Sequence, residues 1–140
     1  MIDLLFVYGS LMPRLESGFG HEQRARLAAE STDLGPATLA ATLYDLGQFP
    51  GLVISNGGNT VLGTLLRLTN PAATFAWLDP FEDIEDGQDT ASALYQRSLH
   101  TVDCIGTPER GRNAAWVYVM RRVPPAALTV ASGIWHAPSP

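Results

Sequence analysis

Three β-type stretches lie between Ala37 and Leu68, separated only by two short turn clusters, and this spacing limits the fold more than any other feature of the chain. Ala37 to Leu46 reads as a strand with Leu39, Ala41 and Leu43 on one face. Gly47-Gln48-Phe49-Pro50-Gly51 follows as a turn-rich joint, in which Pro50 holds Phe49 in extended geometry. Leu52 to Ser55 reads as a short strand, Asn56-Gly57-Gly58-Asn59 as a hairpin turn, and Thr60 to Leu68 as the returning strand. Connections this short argue for an antiparallel or mixed sheet, because parallel neighbours need long crossovers.

The remaining segments add to that sheet. Ile2 to Val7 is an apolar first strand, and Met12 to Phe19 reads as an irregular loop. Helical character starts near His21 and should end near Ser31-Thr32. This helix has few large apolar residues, so it should cover the sheet only lightly. Leu34-Gly35-Pro36 breaks the pattern before the next strand. Asn70-Pro71 is a helix start, with Asn as cap and Pro at a position where its missing N–H costs nothing. Ala72 to Leu78 should be a short helix with Phe75 and Leu78 on one side, ended or bent by Pro80. The acidic segment up to Ala91 reads as a surface loop, Leu94 to Cys104 as a strand, and Thr107 to Arg112 as a polar turn. In the last long strand, Ala114 to Val123, Trp116, Tyr118 and Met120 alternate with Val117 and Val119. The count is about six strands and two short helices. It predicts an α+β fold, a small mixed or antiparallel β-barrel flanked by short helices. With 140 residues, a single domain over 1–140 is expected, with a frayed tail at 136–140.

Composition removes several function classes. All nine basic residues are Arg. With no Lys there is no Schiff-base lysine and no phosphate-loop lysine. The lone Cys104 rules out a two-cysteine redox pair, an intrachain disulfide and a multi-cysteine zinc site. His21, His100 and His136 show no metal-ligand spacing and read as surface or structural histidines, so no metal is expected. Six of the 14 acids fall between Asp79 and Asp89, and the remaining eight face nine arginines. No clustered basic face is visible, so no nucleic-acid partner is expected. No stretch approaches the roughly 20 apolar residues of a membrane span. Asp3 and the lack of a basic start argue against a secretory leader, and a cytoplasmic protein is expected.

Two places carry candidate chemistry. At Tyr8-Gly9-Ser10-Leu11 the first strand gives way abruptly to small residues. Successive backbone N–H groups there can form an anion-binding concavity, although a plain surface turn fits the same five-residue run. Glu82 directly follows Leu78-Asp79-Pro80-Phe81, at the border between a packed helix and the acidic segment. Partial burial would raise its pKa toward neutrality, as a general acid–base group needs; a solvated acid in a negative loop is the alternative. A calcium loop does not fit, because Gly87 is out of step with the acids.

The chain as a whole resembles the γ-glutamylcyclotransferase-like family, which includes plant avirulence-induced-gene-type proteins and small bacterial homologues. The resemblance runs from Phe6-Val7-Tyr8-Gly9-Ser10-Leu11 through Leu43-Tyr44-Asp45-Leu46-Gly47, Phe49-Pro50-Gly51-Leu52 and Val61-Leu62-Gly63-Thr64-Leu65. It continues through Leu78-Asp79-Pro80-Phe81-Glu82, Tyr95-Gln96-Arg97, Ala115-Trp116-Val117-Tyr118 and Ser132-Gly133-Ile134-Trp135. It implies a cofactor-independent enzyme that releases 5-oxoproline from a small-molecule γ-glutamyl amine or peptide. The implied general acid/base is Glu82, and the implied substrate-binding residues are Tyr8, Gly9, Ser10 and Leu11, with Tyr118 as a second wall of the pocket. The twelve residues between Glu82 and Tyr95 leave Glu85 as a competitor for the catalytic place. Arg97 would pair with an acid of the cluster or orient Glu82. The alternative from another class is a non-catalytic binding module for a small carboxylate or γ-glutamyl ligand. Oligomeric state is not legible.

Overall fold

A computed structural model describes residues 2–8, 21–45, 50–54, 58–81, 95–105, 111–120 and 128–129. In chain order the elements are β1 (Leu4–Val7), α1 (His21–Ala29), β2 (Ser31–Asp45), β3 (Pro50–Ile54), β4 (Thr60–Leu68), α2 (Pro71–Phe81), β5 (Tyr95–Cys104), β6 (Arg112–Met120) and β7 (Leu128–Thr129). Five strands close on themselves in the order β2-β4-β1-β6-β5, because β5 returns to pair with β2. The β1–β6 pair is parallel and the other pairs are antiparallel. The expected mixed barrel with flanking helices is therefore the observed fold.

Side-chain alternation divides the apolar residues into two groups. Phe6, Tyr8, Leu39, Leu43, Val61, Leu65, Val117 and Val119 are among those filling the barrel. Leu5, Val7, Leu66, Leu68 and Tyr118 point outward and pack under Leu27 of α1 and Phe75 and Leu78 of α2. Leu27 is the only buried residue among the described side chains of α1, as expected of a lightly covering helix. Burying each of the Phe75 and Leu78 side chains contributes about 1.5–3 kcal/mol, so α2 is the firmer of the two attachments.

Two local expectations need correction. The break at Leu34-Gly35-Pro36 is not a strand boundary. β2 runs through it with a register shift between Asp33 and Pro36. Gly35 takes φ 101°, and its N–H donates to Asp33 Oδ1 at 2.7 Å, so a bulge absorbs the irregular residues and pairing resumes beyond it. Second, β3 and β4 are not partners in a hairpin. β2 has 15 residues, about 50 Å of extended chain, and takes β4 along Ser31 to Ala40 and β3 along Ala41 to Asp45. Among the described residues α2 runs to Phe81, one residue past Pro80; a proline in this turn withholds a single N–H. The start of α2 is as expected: Asn70 Oδ1 accepts from the Ala73 N–H at 3.2 Å.

Gly63 fixes how the barrel wall meets β1. A Cβ at Gly63 would press on the Val7 carbonyl oxygen and lie 2.7 Å from Phe6 Cζ. Only glycine allows β1 this close, and β1 delivers the chain to Tyr8.

Candidate active site

Tyr8, the residue after β1, and the last turn of α2 are both anchored on Tyr118 of β6. The Tyr8 side chain lies inside the barrel, and its hydroxyl donates to the Tyr118 carbonyl oxygen at 2.5 Å. The Tyr118 ring lies on the opposite face, among Leu5, Val7 and Leu78. Its hydroxyl donates to Asp79 Oδ1 at 2.5 Å. Thus one strand residue holds Tyr8 through its main chain and Asp79 through its side chain.

Arg97 completes the arrangement. It lies directly across from Tyr118 in the β5–β6 ladder. Its Nε donates to Asp79 Oδ1 at 2.9 Å and its Nη2 donates to Oδ2 at 3.1 Å, a forked pair of charge-assisted bonds. The guanidinium carbon is 3.8 Å from the Phe75 ring centroid and 4.5 Å from that of Trp116. The Arg97 and Asp79 side chains are 19% and 22% exposed, so salt screens this pair much less than a surface pair. Of the two roles expected for Arg97, pairing with an acid of the cluster is the one observed.

Tyr8 and Tyr118 are the predicted site residues within the described structure. Gly9, Ser10, Leu11, Glu82 and the competing Glu85 lie outside the described residues, as do the Met12–Phe19 loop, the Gly47–Phe49 joint, most of the acidic segment and the tail. Chain continuity still bears on them. Gly9 follows Tyr8, and Glu82 follows Phe81, the last residue of α2.

Two features escaped the sequence reading. In the sequence Asp79 reads as one of six clustered acids, although Phe75, one helical turn earlier, marks it as lying near the packed face. The link from Glu30 to α2 carries no sequence signal, because Thr74 and Trp77 are 44 and 47 residues away and only Arg26 is a near neighbour. The Thr74 hydroxyl and Trp77 Nε1 donate to Glu30 Oε1 at 2.7 and 3.1 Å, and Arg26 Nε donates to Oε2 at 3.1 Å. These hydrogen bonds, Thr74 and Trp77 foremost, hold the Glu30 carboxyl below its ordinary pKa and tie α1 to α2. On β5, Ser98 Oγ and His100 Nε2 are 2.7 Å apart, and burial pushes the His100 pKa down.

Residues 5–137 match the family model described as gamma-glutamyl cyclotransferase, AIG2-like. The chain belongs to this family. Among its relatives, the gamma-glutamylcyclotransferase family protein ytfP of Citrobacter rodentium is 35% identical over 132 residues, covering 94% of this chain and 93% of that protein. The solution structure of ytfP from Escherichia coli is 34% identical, with a TM-score of 0.57 over 94% of this chain and 95% of that one. The crystal structure of an AIG2-like protein from Mus musculus aligns over 98% of this chain and 96% of that one, with a TM-score of 0.69. At 18% identity that likeness speaks for the shared barrel fold alone. No helix among the described residues is long and apolar enough to cross a membrane.

Proposed function

We propose that this chain is a γ-glutamylcyclotransferase that releases 5-oxoproline from a γ-glutamyl amine or γ-glutamyl peptide. The observation that carries the reading is the double anchorage on Tyr118, in a chain of this family. It ties the residue before Gly9 and the helix turn before Glu82 to the same point on β6.

The chemistry follows from the substrate. A γ-glutamyl group carries an α-ammonium, an α-carboxylate and a γ-amide carbonyl. The Glu82 carboxylate takes a proton from the ammonium, freeing the nitrogen lone pair. That nitrogen attacks the γ-carbonyl carbon and closes a five-membered ring. The bond from this carbon to the leaving amine then breaks as Glu82 returns the proton to that amine, and the second proton of the ring nitrogen follows by the same carboxylate, so that the amine departs as an ammonium and Glu82 is again ionised. One C–N bond forms and one breaks, with no oxidant or added water. Backbone N–H groups of the Tyr8 to Leu11 segment hold the α-carboxylate or the γ-carbonyl oxygen, and Tyr118 backs the pocket. Holding nitrogen and carbon in reacting distance supplies much of the rate gain. The single Cys104, without a disulfide partner in the chain, favours the cytoplasm as the place of action.

The test is incubation of the purified chain with γ-glutamylalanine, γ-glutamyl-ε-lysine and glutathione, followed by mass-spectrometric detection of 5-oxoproline. Release from at least one of them, at a rate proportional to enzyme, is the expected result. Thermal stabilisation by these compounds without any 5-oxoproline would overturn the reading in favour of a binding module.

A further inference from the structure

We propose that Ser98 and His100 form a further reactive site, a serine nucleophile with a histidine base, which takes uncharged, apolar acyl esters at the open edge of β5. Neither Glu82 nor α2 takes part in it.

The period of the strand builds the pair. Ser98 lies opposite Val117 and His100 opposite Ala115 in the β5–β6 ladder, and Val117, Ala115 and Val102 all belong to the filling of the barrel. Opposed residues share a face of the sheet, so Ser98 and His100 both stand on the barrel side. Both are half-buried. Ser98 Oγ lies 2.7 Å from His100 Nε2, within the reach a base needs to take a hydroxyl proton. Burial holds the ring below its ordinary pKa, so it is neutral near pH 7. With its proton on Nδ1, it offers Nε2 as the acceptor. Two apolar side chains would fill the same stretch of wall without the cost of burying polar atoms.

The edge of β5 supplies the remaining part. The Cys104 N–H donates to the Gly111 carbonyl at 3.0 Å on the β6 side, and the Ile105 N–H donates to the Pro36 carbonyl at 3.2 Å on the β2 side. Amides alternate along a strand, so the N–H groups of Leu99 and Thr101 point to the same side as that of Ile105. β2 takes this edge opposite Asp103 and Cys104. No described strand takes it at Leu99 and Thr101. Among the described residues the Leu99 N–H therefore stands next to Ser98 without a ladder partner. The amide that follows a nucleophile is well placed to stabilise an oxyanion.

The reaction balances on these groups and water. The Ser98 oxygen bonds to the acyl carbon as its proton passes to His100 Nε2. The bond from that carbon to the leaving oxygen breaks, and Nε2 gives the proton to the departing alkoxide. Water then attacks the acyl-serine with Nε2 as base, and the proton returns to Ser98 Oγ as the free acid leaves. Val102, Ala115 and Val117 around the pair are apolar and buried, so an uncharged acyl chain is accommodated and a charged one is not.

The test uses the full-length chain with p-nitrophenyl acetate and, separately, with a fluorophosphonate, which a serine attacks at phosphorus with loss of fluoride. Wild type is expected to turn over the ester and to take a phosphonyl label that peptide mass spectrometry maps to Ser98. Ser98→Ala should lose the label and lower ester turnover on the order of 10²-fold, and His100→Gln should slow both reactions to a similar degree. Cys104→Ser should leave both unchanged, which separates the hydroxyl from the thiol on the same face of β5. The wild-type ester rate should fall as pH falls through the folded His100 value, below 6.5, because only the neutral ring acts as a base. Circular dichroism checks the folding of each variant, and if Ser98→Ala does not fold, the position of the wild-type label decides. A label on another residue, no label at all, or equal ester rates in wild type and folded Ser98→Ala overturns the proposal. Failure to release 5-oxoproline from γ-glutamyl compounds would bear on Glu82 and leave this result untouched.

Discussion

Replacing Gly63 with alanine tests how tightly β1 is held. The added Cβ would press on the Val7 carbonyl oxygen and lie 2.7 and 2.9 Å from Phe6 Cζ and Cε2. The carbonyl is main chain in a strand paired through Phe6↔Leu65 and Val7↔Thr64, so it cannot rotate away without breaking the ladder. The Phe6 ring is 1% exposed inside the barrel, and interiors of this kind are close-packed. Overpacking of this kind costs about 1–3 kcal/mol, and the main-chain clash puts Gly63→Ala at the upper end, about 2–3 kcal/mol. For a chain of this size the midpoint of thermal unfolding should fall by roughly 6–12 °C. The assay is far-UV circular dichroism on heating, with urea unfolding as a second measure. Because Val7 leads directly to Tyr8-Gly9, ligand-induced stabilisation by a γ-glutamyl compound should also weaken. A change in midpoint under about 1.5 °C would refute the reasoning, since it would mean that β1 can withdraw from β4 at no cost.

Asn70→Ala removes the oxygen that accepts the Ala73 N–H and should destabilise the protein by about 1 kcal/mol, with Asn70→Asp retaining most of the stability; urea unfolding measures both. Glu30 has a folded pKa below its ordinary 4.5, so its contribution is full above that value and is lost as pH falls through the lower folded value. Glu30→Gln should therefore flatten the acid limb of a stability-against-pH curve below about pH 4.5. His100 is held below its ordinary 6.5 by burial, so the folded state favours the neutral ring. Stability from this site is full above pH 6.5 and declines as pH falls through the folded value; an NMR titration of His100 with a midpoint at or above 6.5 would contradict this.

The barrel was legible because its strands announce themselves twice. Leu39-Ala41-Leu43 and Val117-Val119 alternate with polar or outward residues, and Gly and Pro punctuate the connections. The pairing partners were less legible. Asn56-Gly57-Gly58-Asn59 carries a hairpin signal, yet β3 and β4 each pair with β2, because partner choice depends on the length of β2 and not on the turn between its neighbours. Gly35 signals an irregularity without saying whether the strand stops or bulges, and the Asp33 carboxylate decides for the bulge. At the candidate site, the residue types of Tyr8, Tyr118 and Arg97 could be singled out from the chain. Their connection could not. It runs through a main-chain oxygen and through Asp79, and depends on contacts across 110 and 39 residues of sequence. The link from Glu30 to Thr74 and Trp77 was hidden for the same reason.

The central claim is that Glu82 moves the proton that lets a γ-glutamyl amine close on its own carbonyl. The most direct measurement is 5-oxoproline released per minute by wild type and by Glu82→Gln, on the same substrate and at matched folded fraction. Wild-type release with a fall of about 10²–10⁴-fold in Glu82→Gln is the predicted result. Equal rates in the two proteins, or a loss confined to Glu85→Gln, would contradict it.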